Sequence, residues 1–184
     1  MKKAASAADT CVIHTGGSWN TMAQINSRSE GERREASEHL HYEFWMLVSL
    51  ARILSSGSLG PGVISNGLIE SFTIHARLLL DFFFDQNPRP DDVVATHYIT
   101  DLAAWEKYRG DQSDLLKKLD TRVGKEIAHL TYGRLDIAPQ EKAYDFIAIA
   151  KELYSLMEHF KECADQDMLG DSWRGNWAAM LPDV

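Results

Sequence analysis

Gly62-Val-Ile-Ser-Asn-Gly-Leu-Ile-Glu-Ser-Phe-Thr-Ile-His-Ala-Arg-Leu-Leu-Leu-Asp-Phe-Phe-Phe-Asp85 is the stretch from which the fold class is read. Its apolar residues, among them Val63, Ile64, Leu68, Phe72, Leu79 and Phe83, fall nearly all round a helical wheel, a pattern expected of a helix at the centre of a helical protein. The polar exceptions are ordered. Asn66, Glu70, Thr73, Arg77 and Asp81 follow steps of four, three, four and four, so they share one stripe that should face water or a polar partner. Asn87-Pro-Arg-Pro90 ends the helix, because neither proline can donate to its ladder.

Towards the N-terminus, Ser29-Glu-Gly-Glu32 has the capping-box pattern that starts a helix. Leu40, Phe44, Leu47, Ala51 and Leu54 carry its apolar face to a breaker at Ser55-Ser-Gly-Ser-Leu-Gly-Pro61. Beyond the prolines, short helical turns are expected over Asp92 to Tyr98 and Thr100 to Tyr108, with Tyr98 and Trp105 covering the core. A third long helix should run from Ser113 to Tyr132 on Leu115, Leu119, Val123, Ile127 and Leu130. A last one should open at Pro139 and continue on Phe146, Ala150, Leu153, Met157 and Phe160 to Ala164. The expectation is therefore an all-α protein, an antiparallel bundle of four long helices with short extra helices between the second and third. Residues 1–28 read as a disordered or loosely docked tail, 29–166 as the bundle domain, and 167–184 as a docking segment through Trp173, Trp177 and Met180.

A chain of 184 residues with 45% hydrophobic content suffices for one core. Its 27 acidic and 19 basic residues give a formal charge of -8, which opposes non-specific binding to a polyanion and confines any RNA contact to a local patch. Cys11 and Cys163 form no paired motif, as expected of a protein from a reducing cytoplasm. Met1-Lys-Lys is followed by no apolar run, and no stretch has the roughly 18 apolar residues of a membrane span, so no membrane association is expected.

The residues that interrupt the third helix carry the chemistry. In Arg122-Val-Gly-Lys-Glu-Ile-Ala-His-Leu-Thr-Tyr-Gly-Arg134, Arg122 and His129 are seven positions apart, about 20° out of line and about 10.5 Å along a helix axis, with Glu126 between them. This R-x6-H spacing on a helical pattern resembles the HEPN superfamily of helical-bundle proteins, as does the general shape of the segments 70–84 and 128–134. The resemblance implies a homodimer whose Arg122 and His129 meet at a shared cleft and cleave RNA without metal or other cofactor. Arg122 would hold the phosphate, and His129 would act as acid or base at the ribose 2′-hydroxyl. A structural alternative stays open, in which Arg122 pairs with Glu126 and His129 is hydrogen-bonded within the bundle.

If the second and third helices pack together, His75 and Arg77 would stand near His129, Tyr132 and Arg134 as one polar site. Otherwise Glu70 and Asp81 would neutralise Arg77. Glu38-His-Leu-His41 and Glu126-Ile-Ala-His129 are both E-x-x-H, the pair that di-iron bundles use together with one glutamate from each of two other helices; Glu70 could serve as one, with Asp101 or Glu106 only a weak other and nothing convincing on a long helix. Arg34-Glu-Ala-Ser-Glu-His39 also satisfies a short R-x4-H pattern. No phosphate-binding glycine loop or nucleophile elbow is present. The leading expectation, implied by the resemblance, is a HEPN-like helical protein acting through Arg122 and His129 as a metal-independent endoribonuclease or a toxin-like defence component, and the alternative is a non-catalytic helical module that binds a protein partner or small ligand.

Overall fold

A computed structural model describes residues 28–124, 132, 135 and 143–175 of the chain. Among these residues the fold is all-α, with five α-helices: α1 (Glu30–Ser55), α2 (Val63–Phe84), α3 (Leu102–Arg109), α4 (Asp114–Arg122) and α5 (Phe146–Cys163). Three single turns of tighter helix, Ala95–His97, Gln166–Met168 and Asp171–Arg174, complete it. No helix among the described residues is long and apolar enough to cross a membrane.

Local chemistry sets the helix starts. Ser29 Oγ accepts from the Glu32 amide at 3.2 Å while Glu32 Oε2 accepts from the Ser29 amide at 2.8 Å, so the expected capping box forms and α1 begins beside it. Ser113 caps α4 by accepting from Leu116 N at 3.2 Å, and its hydroxyl also donates to Glu152 Oε2 at 2.5 Å, tying α4 to α5. Asp145 caps α5 through Ala148 N at 2.9 Å. This corrects the expected start at Pro139: residues 143–145 are not helical, and the Asp145 carboxylate caps the helix at the Ala148 amide instead. After Arg122 the backbone loosens into a wider turn at Val123 and Gly124. Residues 125–131 of the expected third long helix lie outside the described residues.

The core is built between α1, α2 and α5. Glu43 of α1 meets His75 of α2, and Ala36 shares a cleft with Asp85, so the two helices run antiparallel. Phe72 packs edge-on against Phe146 and Phe82 against Phe160, so α2 and α5 run the same way. Phe160 is fully buried, and its ring lies 5.1 to 6.4 Å from those of Phe82, Phe83, Tyr98, Trp105 and Trp173. Tyr98 and Trp105 thus cover the core, as expected of the connection between α2 and α4.

Two expectations for α2 need correction. It is not buried all round, since Ile64, Ile74 and Leu78 are 72%, 50% and 46% exposed while Phe72, Ala76, Leu79 and Phe83 face the core. Its polar stripe is not uniformly outward either. Thr73 is fully buried, because its hydroxyl donates to Glu70 O at 2.8 Å and carries no unmet bond into the core.

The segment after α5 folds back onto α1. Gly170 N donates to Ser37 Oγ at 2.8 Å, Trp173 Nε1 donates to Ser37 O at 2.9 Å, and Ser172 N donates to Glu38 Oε1 at 3.1 Å. Arg34 pairs with Asp171 at 2.9 Å on the outside. The Glu38 side chain lies so close over Gly170 that a Cβ there would come within 1.9 Å of Oε1. Gly170→Ala is therefore expected to expel Glu38 from its bond to Ser172 and to destabilise the protein by about 0.5–1.5 kcal/mol. A urea midpoint equal to that of the parent would contradict this. Trp177 and Met180 lie outside the described residues.

Candidate functional site

The expected catalytic pair is only half described, because Glu126, His129 and Arg134 lie outside the described residues. Arg122 is engaged: its guanidinium lies 3.8 Å from the centre of the Tyr144 ring and donates to Ala143 O at 3.1 Å. A cation over an aromatic face gains from the ring quadrupole, so this arrangement clamps the end of α4 to the approach of α5. Tyr132 is 92% exposed.

On α2, Arg77 Nε donates to both oxygens of Asp81 at 2.9 and 3.0 Å, and its Nη1 lies 2.7 Å from Asp120 of α4. The hydrogen bonds to Asp81 raise the Arg77 pKa further above its ordinary value. Glu70, expected as a partner, is exposed and stands seven residues, about 10.5 Å, back along the helix, so Asp120 takes its place. His75 is buried between α1 and α2 with Nδ1 2.5 Å from Glu43 Oε2 and its ring edge-on to Tyr42. Glu43 belongs to no motif in the sequence. An ionised carboxylate can only accept, so the ring Nδ1–H is the donor.

Beside this pair lies a cleft of about 330 Å³. Its α1 wall is Ala36, His39, Leu40 and Glu43, its α2 wall is Leu78, Asp81, Phe82 and Asp85, and Asp92, Val93 and Val94 close one end. Each helix contributes residues three, four and seven apart, the spacing of one face. Leu40, Phe82 and Val94 form a buried apolar floor, while Leu78 and Val93 leave 46% and 41% of their surface open. The polar part is one-sided, with four carboxylates and His39 but no lysine or arginine in the lining. Glu43, Asp81, Asp85 and Asp92 each accept a hydrogen bond, from His75, Arg77, Asn87 N and Arg89 N respectively, so all four are held in place.

The di-metal expectation gains nothing from this geometry. Glu38 is turned to Ser172, and His41 sits edge-on to Trp173 with ring centres 6.1 Å apart. No three His, Cys, Asp or Glu side chains among the described residues are grouped to hold a metal ion.

Burial lowers the pKa of His41 and of His97 below the ordinary 6.5, the second aided by the nearby positive charge of Arg33. The unfolded chain then takes up protons that the folded one resists, so the stability these residues contribute is present above pH 6.5 and is lost as pH falls through that window towards their folded values. A lower Tm at pH 5.5 than at pH 7 is expected, with a shallower fall in His41→Gln and His97→Gln. An unchanged slope in both variants would contradict the assignment.

Comparison with family models, curated proteins and solved structures finds no match to this chain.

Proposed function

We propose that this protein is a non-catalytic helical module that binds a small ligand in the cleft between α1 and α2. One observation carries the reading: the cleft combines an apolar floor with polar groups already fixed in orientation, as ligand pockets do, and its volume falls at the lower end of their usual range of about 300–1,000 Å³. Titration of isotope-labelled protein with a library of small fragments tests it. Saturable shifts at the backbone amides of Leu78, Phe82 and Val93 are expected, and their loss in Leu78→Asp. If no fragment moves these amides, the cleft is not a binding site.

The HEPN-like endoribonuclease remains a second proposal, supported by the Arg122 and His129 spacing, and opposed by the contacts of Arg122 with Ala143 and Tyr144. It requires RNA cleavage that persists in excess chelator and disappears in both Arg122→Ala and His129→Ala. Activity retained in either variant would remove the assignment. The four-helix antiparallel arrangement and the homodimer belong to the same proposal; the exposed apolar side of α2 supports the dimer.

A further inference from the structure

The rim of the α1–α2 cleft is selective in charge. Four carboxylates and an apolar floor line it, and Arg77 beside it is paired with Asp81 and Asp120 and feels the charge of Asp85 as well. Both oxygens of Asp81 face Arg77, whereas Glu43, Asp85 and Asp92 are each held through one oxygen, Oε2, Oδ1 and Oδ2 respectively. Each of these three carboxylates lines the cleft and has a second oxygen outside that bond. A concave site with low-dielectric walls focuses such a field, so a cation gains more there than on an open surface. A bare metal ion does not suit the rim, because the described carboxylates do not converge into a ligand cage. An ammonium suits it better, since its three donors need one or two acceptors at hydrogen-bond distance and its attached chain can cover the floor.

We propose that the cleft binds a small primary alkylamine, whose ammonium is taken by the rim carboxylates Asp85 and Asp92 at one end and whose chain packs on Leu40, Leu78, Phe82 and Val93 towards Glu43. This rests on the cleft being a binding site. Charge complementarity sets the sign of the ligand, and the volume of about 330 Å³ suits a small molecule. Nothing in the lining offers a donor pair for a carboxylate or phosphate, so an anionic ligand of the same shape meets four like charges.

Three probes of equal length separate charge from shape: n-hexylamine, hexan-1-ol and hexanoate, each titrated against the full chain at fixed ionic strength and pH 7 with backbone amide shifts as the readout. Hexylamine is expected to saturate shifts at Leu78, Phe82 and Val93, hexanol to bind about tenfold more weakly, and hexanoate to leave them unmoved. In Asp85→Asn/Asp92→Asn, which removes two charges at nearly constant shape, hexylamine affinity should fall about tenfold or more. Asp114→Asn, at an exposed residue of α4, should leave it unchanged and controls for general attraction to an acidic protein. Equal binding of hexylamine and hexanol, or an unchanged affinity in the double variant, would overturn the cation assignment while leaving the cleft a binding site. If none of the probes moves these amides but fragments from the library do, the amine class alone is wrong. Silence from both sets would overturn the cleft reading itself.

Discussion

Phe160→Ala is expected to destabilise the protein by about 3–5 kcal/mol, the cost typical of removing a large aromatic side chain from a closed core. Phe160 is the point at which elements distant in sequence meet: α2 through Phe82 and Phe83, the connection through Tyr98, α3 through Trp105, and the C-terminal segment through Trp173. None of these rings can move into the vacancy without breaking its own contact with another, so the site collapses poorly and the upper part of the range is expected. Because domains have only about 5–15 kcal/mol of stability in total, a large share of the variant should be unfolded near body temperature. Urea unfolding followed by far-UV circular dichroism checks this, and a loss under 1 kcal/mol would show that the ring cluster does not close the core. Phe160→Leu, which keeps most of the volume, should recover more than half of the loss.

The second large effect concerns Trp173. This side chain is 2% exposed, fills a gap beside Phe160 and His41, and donates from Nε1 to Ser37 O. Trp173→Ala should again cost about 3–5 kcal/mol, but by a different route. Without its anchor, the segment that holds Gly170 and Ser172 against α1 loses its main apolar contact, and Ser37 Oγ, buried under Gly170, is opened to water. Protease cleavage within 165–175 should therefore rise well before the helices melt. Trp173→Phe separates the terms, since it retains most of the apolar area and loses the indole donor; a cost of about 1 kcal/mol is expected for it. If Trp173→Ala left both proteolysis and the urea midpoint unchanged, the segment would not be part of the core.

Much of the helical architecture was legible because its signals are local. Ser29 and Glu32 lie three residues apart and cap α1 by themselves, and the three-and-four spacing of Leu40, Phe44, Leu47 and Ala51 places them on one face whatever they meet. Other features were hidden because they depend on what a residue meets across the fold. Thr73 lies at a polar stripe position, but a bond to its own helix lets it enter the core. Ser37 has no pattern of its own in the sequence, yet it receives two bonds from residues more than 130 positions away. The cleft was illegible for the same reason. His39, Glu43, Asp85 and Asp92 come to line one cleft through the register between α1 and α2, which Glu43 and His75 help to fix, and through the path of the chain after α2, neither of which a single helix states alone. Pro139 offered a plausible helix start, and Asp145, six residues later, supplied the actual cap.

The bonds from Gly170 and Trp173 to Ser37 also bear on how fast the chain reaches its native state. All-helical domains usually fold quickly because most of their contacts are near in sequence. Here the first long helix is sealed by residues 133 and 136 positions further on, so much of the chain's freedom must be surrendered before that seam gives anything back. Helices should form early and wait for the seam. Refolding should then be slower than the helical content alone suggests, and substitutions at Ser37 or Trp173 should speed unfolding more than they slow folding, because the last contacts to form are the first to be released.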